Sequence, residues 1–242
     1  MKTTLMKLSG LFLLSVMLIQ PLSAQRQRRQ LTPAEEEARA AEAKIKVQQE
    51  TERKAASYVE ALKLNDPAKE ARVAAVIATH IMAVRDWHNQ NLKRVPEGSI
   101  NPYNGNVLTA LDREIIADSG IPKEVRQALL DGLRKDLTEE QIELIYDQYT
   151  VGKVQFTLNG YKSIVPDLTA KEEAVILENL KKARDQAIDM KNMKAISGIF
   201  EIYKTKNEQY LNENGRNWKQ LYKDYSNKRK AEKAAAAAAA GN

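Results

Sequence analysis

Apolar residues recur along most of this chain at helical spacing, with polar residues between them. In the stretch 67–93, Val73, Val76, Ile77, His80, Ile81, Val84, Trp87, His88 and Leu92 fall on one side of a 3.6-residue period. Asp66 before Pro67 supplies an N-cap and a first-turn proline, so a helix starts there. The preceding segment, 32–64, also reads as helix. Its first half is Ala, Glu, Gln and Lys, and Tyr58, Val59 and Leu62 are its first anchors. Shorter helices are expected over 107–118, 122–135 and 138–149. Ile176, Leu180, Ala183 and Ala187 define another over 169–190, and Ile196, Ile199, Phe200, Tyr203 and Tyr210 one over 192–211. Gly215 stops that helix, and Trp218, Leu221, Tyr222 and Tyr225 begin a last one from 217.

Two stretches break the pattern. Residues 94–106 contain Pro96, Gly98, Pro102, Gly105 and three Asn. They read as a long irregular loop, a place where function concentrates. In 151–166, Val154, Phe156 and Leu158 alternate ahead of Asn159-Gly160, which reads equally as a small β-hairpin or an irregular loop. The expectation is a mainly α chain, a single helical domain (32–226) of about six to eight helices. One short β-hairpin near residues 154–164 is the open alternative. A Lys/Ala-rich tail, 227–242, has helix propensity but no large apolar residue to bury, and is expected to be solvated.

The chain has 242 residues and no Cys, which excludes disulfides, Cys-ligated zinc, iron–sulfur clusters and thiol catalysis. At its start, Lys2 and Lys7 accompany the apolar run 8–19, and Leu22-Ser23-Ala24 offers small residues for cleavage. Residues 1–24 therefore read as a secretory signal peptide cut after Ala24, and the run is short of the roughly 20 residues of a membrane span. A periplasmic or secreted protein with no transmembrane anchor is expected. The formal charge of +6 sits at the two ends: Arg26, Arg28 and Arg29 in a basic leader (25–31), and six basic against two acidic residues in 219–242. The body between them is net negative, with no basic stripe carrying aromatics. Nucleic acid is thus not an expected partner.

Three segments share the pattern Leu-Thr-x-x-Glu/Gln, at Leu31-Thr32, Leu137-Thr138 and Leu168-Thr169. They resemble the paired segments of small periplasmic helical chaperones. They are also what a capping box needs, a Thr N-cap with Glu or Gln three residues on. Leu137 is placed to staple onto Ile142.

Candidate chemistry gathers around the end of the second helix. The mix of Asp86, Trp87, His88 and Asn89 with Asn101, Tyr103 and Asn104 in the loop offers flat apolar faces and planar hydrogen-bonding edges. That combination suits a sugar ring. His80 and His88 stand eight residues apart, about 12 Å along a helix, too far to share one ion. No metal site and no cofactor is therefore expected. His80 reads as a core histidine bonded to a neighbour, and Trp87 reads equally as a core residue. No catalytic residue is assigned, and no acid pair stands out as a polysaccharide hydrolase or lyase would need.

Further residues carry a resemblance. Tyr149-Thr150-Val151-Gly152-Lys153, Tyr161-Lys162 with Ile164-Val165-Pro166-Asp167-Leu168-Thr169, Asn179-Leu180-Lys181-Lys182-Ala183-Arg184-Asp185-Gln186-Ala187 and Phe200-Glu201-Ile202-Tyr203-Lys204 form the set. With Asn207, Tyr210-Leu211 and Asp86-x-His88, they resemble a secreted helical family catalogued as domain of unknown function 3826. The resemblance runs from about Ala56 to Tyr222 and leaves out the Arg-rich leader and the Ala-rich tail. It implies a helical fold, export, and an association with carbohydrate, since some members are described as sugar-binding. It implies no catalytic residue. The leading expectation is an exported, non-catalytic carbohydrate-binding protein. A helical chaperone and a polysaccharide hydrolase or lyase are the alternatives.

Overall fold

A computed structural model describes residues 31–240. The expected signal peptide and the three leader arginines lie outside them. Nine helices follow one another among the described residues: α1 (Pro33–Glu60), α2 (Pro67–Asn91), α3 (Ala110–Asp118), α4 (Lys123–Leu133), α5 (Glu139–Tyr149), α6 (Lys153–Ile164), α7 (Ala170–Ala187), α8 (Met193–Glu213) and α9 (Trp218–Ala240). The chain divides into two units after Glu42. The described part of the first is the exposed start of α1. There Thr32 caps the helix by accepting from the Glu35 amide, and the Glu35 carboxylate accepts from the Thr32 amide.

The expected count of six to eight helices is one short, and the hairpin is where it fails. Residues 154–164 lie inside α6. Val154, Leu158 and Tyr161 recur at helical spacing and are all buried, while Phe156, the middle residue of the apparent alternation, is 78% exposed. A strand would have put all three of the alternating residues on one face. The turn-forming pair Asn159-Gly160 is accommodated within the helix. Gln155 bonds the Asn159 side chain, Ser163 bonds the Asn159 carbonyl, and Gly160 costs about 1 kcal/mol relative to Ala. The turn chemistry instead sits just ahead, where Val151 and Gly152 have φ of 54° and 65° and Gly152 caps α6.

All three Leu-Thr segments are capping boxes. Thr138 and Gln141 bond reciprocally at the start of α5, as do Thr169 and Glu172 at α7. A fourth box, Thr109 with Asp112, starts α3. Leu137 and Ile142 are both buried in one core cluster, as the staple requires. The Leu-Thr pattern is thus accounted for by helix starts.

The interior has two apolar clusters. One joins Tyr58 and Val59 of α1, Val73 and Ile77 of α2, Leu129 and Leu133 of α4, and Ile142, Ile145 and Tyr149 of α5. The other joins Leu158 and Tyr161 of α6, Ile176 and Leu180 of α7, and Ile196, Ile199, Phe200 and Leu211 of α8, with Trp218 against it. Two glycines mark close helix contacts. A Cβ on Gly132 (α4) would lie 2.6 Å from a Val76 methyl carbon on α2, and one on Gly198 (α8) 2.5 Å from Ile115 Cδ1 on α3. Past Ser226, α9 is exposed through residue 239. No helix among the described residues is long and apolar enough to cross a membrane.

Candidate functional site

The residues singled out along α2 and its following loop differ in exposure and in hydrogen-bond partners. Asp86 and Asn89 are exposed, and Asn89 accepts from Lys191 Nζ at 2.9 Å. Trp87 is half-buried. Its indole Nε1 donates to the Ala117 carbonyl at 3.1 Å, and the Arg94 guanidinium lies over its ring at 5.8 Å. His88 points inward. In the loop, Asn101 and Asn104 spend their side-chain oxygens on the amides of Tyr103 and Asn106, closing two local turns. A single antiparallel bridge, Ile100 with Val107, closes the loop's base. Tyr103, 97% exposed, stands at its tip.

What α2 does organise is a pair of buried His–Asp contacts. His80 Nδ1 meets the Tyr149 hydroxyl at 3.1 Å, and its Nε2 meets Asp189 Oδ1 at 3.2 Å. This is the hydrogen-bonded core histidine that its position on α2 implied. Asp189 also accepts from Arg126 of α4. Just over two turns further along α2, His88 Nδ1 lies 2.9 and 3.0 Å from the two oxygens of Asp118 at the end of α3. Burial pushes the Asp118 carboxyl above its ordinary range; the bond from His88 opposes that, and the nearby Glu114 adds to it. Glu114 stands one helical turn before Asp118, and its Oε1 accepts from the Asn192 side chain. The ligand atoms of His88, Glu114 and Asp118 all lie within 4.8 Å of one another. His spacing alone gave no metal site. The two carboxylates arrive from α3, some 30 residues on, at separations no helical period reveals.

The five residues between α7 and α8 reach His80 and the Glu114 beside Asp118. This turn holds Asp189, the partner of His80, and Asn192, the partner of Glu114. Asn192 is itself fixed. Its Oδ1 accepts from the Lys194 and Ala195 amides at 3.0 Å each, capping α8.

Beside this turn lies a cleft of about 410 Å³ between the start of α4 and the end of α7. Ser119, Lys123, Arg126, Gln127, Gln186 and Asp189 supply its polar groups, over Leu130 and Met190. The Asp189 carboxylate is held from behind by His80, so the Arg126 guanidinium is held at the cleft wall. Lys123 stands in the first turn of α4, where the backbone amides lend positive character. None of these cleft residues belongs to the set read from sequence. Gln186 lies in a quoted resemblance segment, but no local signal marked it as a ligand contact.

A family model described as Protein of unknown function (DUF3826) matches residues 48–231. No curated protein matches the chain.

Proposed function

We propose, from the premise that the chain belongs to this DUF3826 family of unknown function, that it is an exported, non-catalytic carbohydrate-binding protein. Its ligand site is the α4–α7 cleft. The observation that carries this reading is the fixed Arg126–Asp189 pair on the cleft wall, braced by His80 behind it. Sugar hydroxyls are recognised by planar groups that donate and accept together. Arg donates, Asp accepts and Gln does both, and they serve best when their orientation is set before the ligand arrives. Gln127 and Gln186 add two such edges, and Lys123 favours a saccharide bearing a carboxylate. The apolar patch of Leu130 and Met190 suits the flat face of a ring. Export rests on the sequence pattern of residues 1–24.

The test is a thermal-shift and calorimetric screen of the chain from Gln25 onward against neutral and uronate-containing oligosaccharides. A ligand at 100 times its Kd adds about 2.7 kcal/mol of stability, a shift of several degrees. Arg126→Ala and Gln186→Ala are expected to remove that shift, and Trp87→Ala and Tyr103→Ala to leave it. Loss of the shift in Trp87→Ala or Tyr103→Ala alone would return the site to the end of α2 and its loop. No shift with any saccharide would end the carbohydrate reading.

A further inference from the structure

We infer that His88, Glu114 and Asp118 form a site for one divalent transition-metal ion, of which Zn2+ is the type. This stands apart from the carbohydrate reading and does not need it. The ligand types come first. One imidazole and two carboxylates, with no sulfur, form the mixed nitrogen–oxygen set taken by Zn2+ and by Mn2+ or Fe2+. Their placement follows from two helices. Glu114 and Asp118 are four residues apart on α3, so they share a face, and His88 approaches that face from α2. The candidate ligand atoms fall within 4.8 Å of one another. Ligands about 2.0–2.2 Å from a central ion lie inside that limit.

Charge gives a second argument. His88 and Asp118 are buried and Glu114 is half-buried. Two carboxylates and one imidazole in one space carry more negative than positive charge, and buried charge is costly unless it is compensated. Lys191 is exposed, and its Nζ hydrogen-bonds the Asn89 side chain. A simple His–Asp pair accounts for His88 and Asp118. It does not account for a second carboxylate brought to the same point.

The surroundings supply the third argument. Ligating carboxylates are held by outer hydrogen bonds that fix their orientation. Asn192 does this for Glu114, and is itself immobilised by the α8 amides it caps. Three protein ligands leave coordination positions open, with Glu114 on the solvent side.

The experiment uses the full mature chain, stripped with a chelator. Zn2+ is titrated by calorimetry, and Co2+ is followed by its visible absorption. One equivalent of metal per chain is expected, with a rise in Tm on binding. Glu114→Gln is expected to weaken binding by more than about 100-fold, beyond the loss of an outer-shell partner. Asp118→Asn serves as a second variant, with circular dichroism reporting that each is folded. His80→Gln, removed from the site, is expected to keep one equivalent. Binding well below one equivalent in the wild type would overturn the site, as would wild-type affinity in folded Glu114→Gln and Asp118→Asn. So would loss of binding in His80→Gln with retention in Glu114→Gln.

Discussion

At the scale of single residues, the strongest electrostatic arrangement is a structural one. Glu172 accepts from both the Arg216 Nε and Nη2 atoms, at 3.0 and 2.9 Å, and also closes the Thr169 capping box. Arg216 grips Asp167 with its third nitrogen, Nη1. These bonds, the one from Arg216 foremost, hold the Glu172 carboxyl down to about 2. Its folded-state pKa is lower than the unfolded value, so the stabilisation is whole above about pH 4.5. It drains away as the pH falls toward 2. Solvent at Arg216 screens part of it, leaving on the order of 2 kcal/mol. Thermal unfolding between pH 6 and pH 2 should show a falling Tm in the wild type and a flatter profile in Glu172→Gln. Equal slopes would mean that other acids carry the acid sensitivity. Legibility differs sharply between residues here. Thr169 and Glu172 announce their capping box in four letters of sequence. Arg216, 44 residues away, carries no local sign that it will find them. The same holds for the candidate sites. His88 was visible as chemistry and Asp118 and Glu114 were not, because a convergence of side chains from separate helices leaves no period to read. The loop that drew attention through its Asn, Gly and Pro content uses two of its Asn residues to hold its own turns.

At the scale of elements, eight of the nine helices follow from apolar spacing and caps, with ends displaced by a few residues. The ninth, α6, was obscured by a coincidence. Residues i, i+2 and i+4 satisfy both an alternating and a helical reading at their outer members, and Asn-Gly tipped the balance toward a turn. The third apolar position, Tyr161 at i+7, is what a strand could not have used. Between elements, the α2–α4 contact depends on Gly132 lacking a side chain. Ala is a better helix former than Gly by about 1 kcal/mol, so propensity alone says that Gly132→Ala stabilises. The β-branched Val76 cannot rotate away easily from a Cβ at 2.6 Å, and overpacking of this kind costs about 1–3 kcal/mol. Chemical denaturation of Gly132→Ala should therefore show a net loss of up to about 2 kcal/mol. A gain would show that α4 slides freely on α2.

At the scale of the whole second unit, the two apolar clusters are tied by charge as well as by packing. Arg184 of α7, 2% exposed, reaches across to α5, where it bonds Glu143 at 2.7 Å and Asp147 at 3.0 Å and covers the Tyr146 ring. Glu143 and Asp147 keep access to water, so removing the arginine leaves them less stranded than fully buried partners would be. Arg184→Ala is expected to lower stability by about 2–3 kcal/mol through lost packing and lost pairing together. The check is a urea titration. A change below about 0.5 kcal/mol would mean that the apolar clusters hold together without it. Apolar spacing and charge mark a helical body with basic ends. They do not show that polar joints of the body lie at the turn 188–192, at Arg184 and at Arg216.

The two tryptophans sit in unlike surroundings. Trp87 lies under Arg94 with its indole nitrogen engaged, near the His88 cluster, while Trp218 is stacked between Tyr161 and Tyr222 at 5.2 and 6.1 Å against the α6–α8 core. The chain therefore carries two tryptophan fluorophores, one next in sequence to the inferred ligand His88 and one packed against the α6–α8 core. Replacing each in turn by Phe separates their emission. A paramagnetic ion such as Co2+ should quench the light from Trp87 and spare that from Trp218, so occupancy can be followed optically without attaching any label.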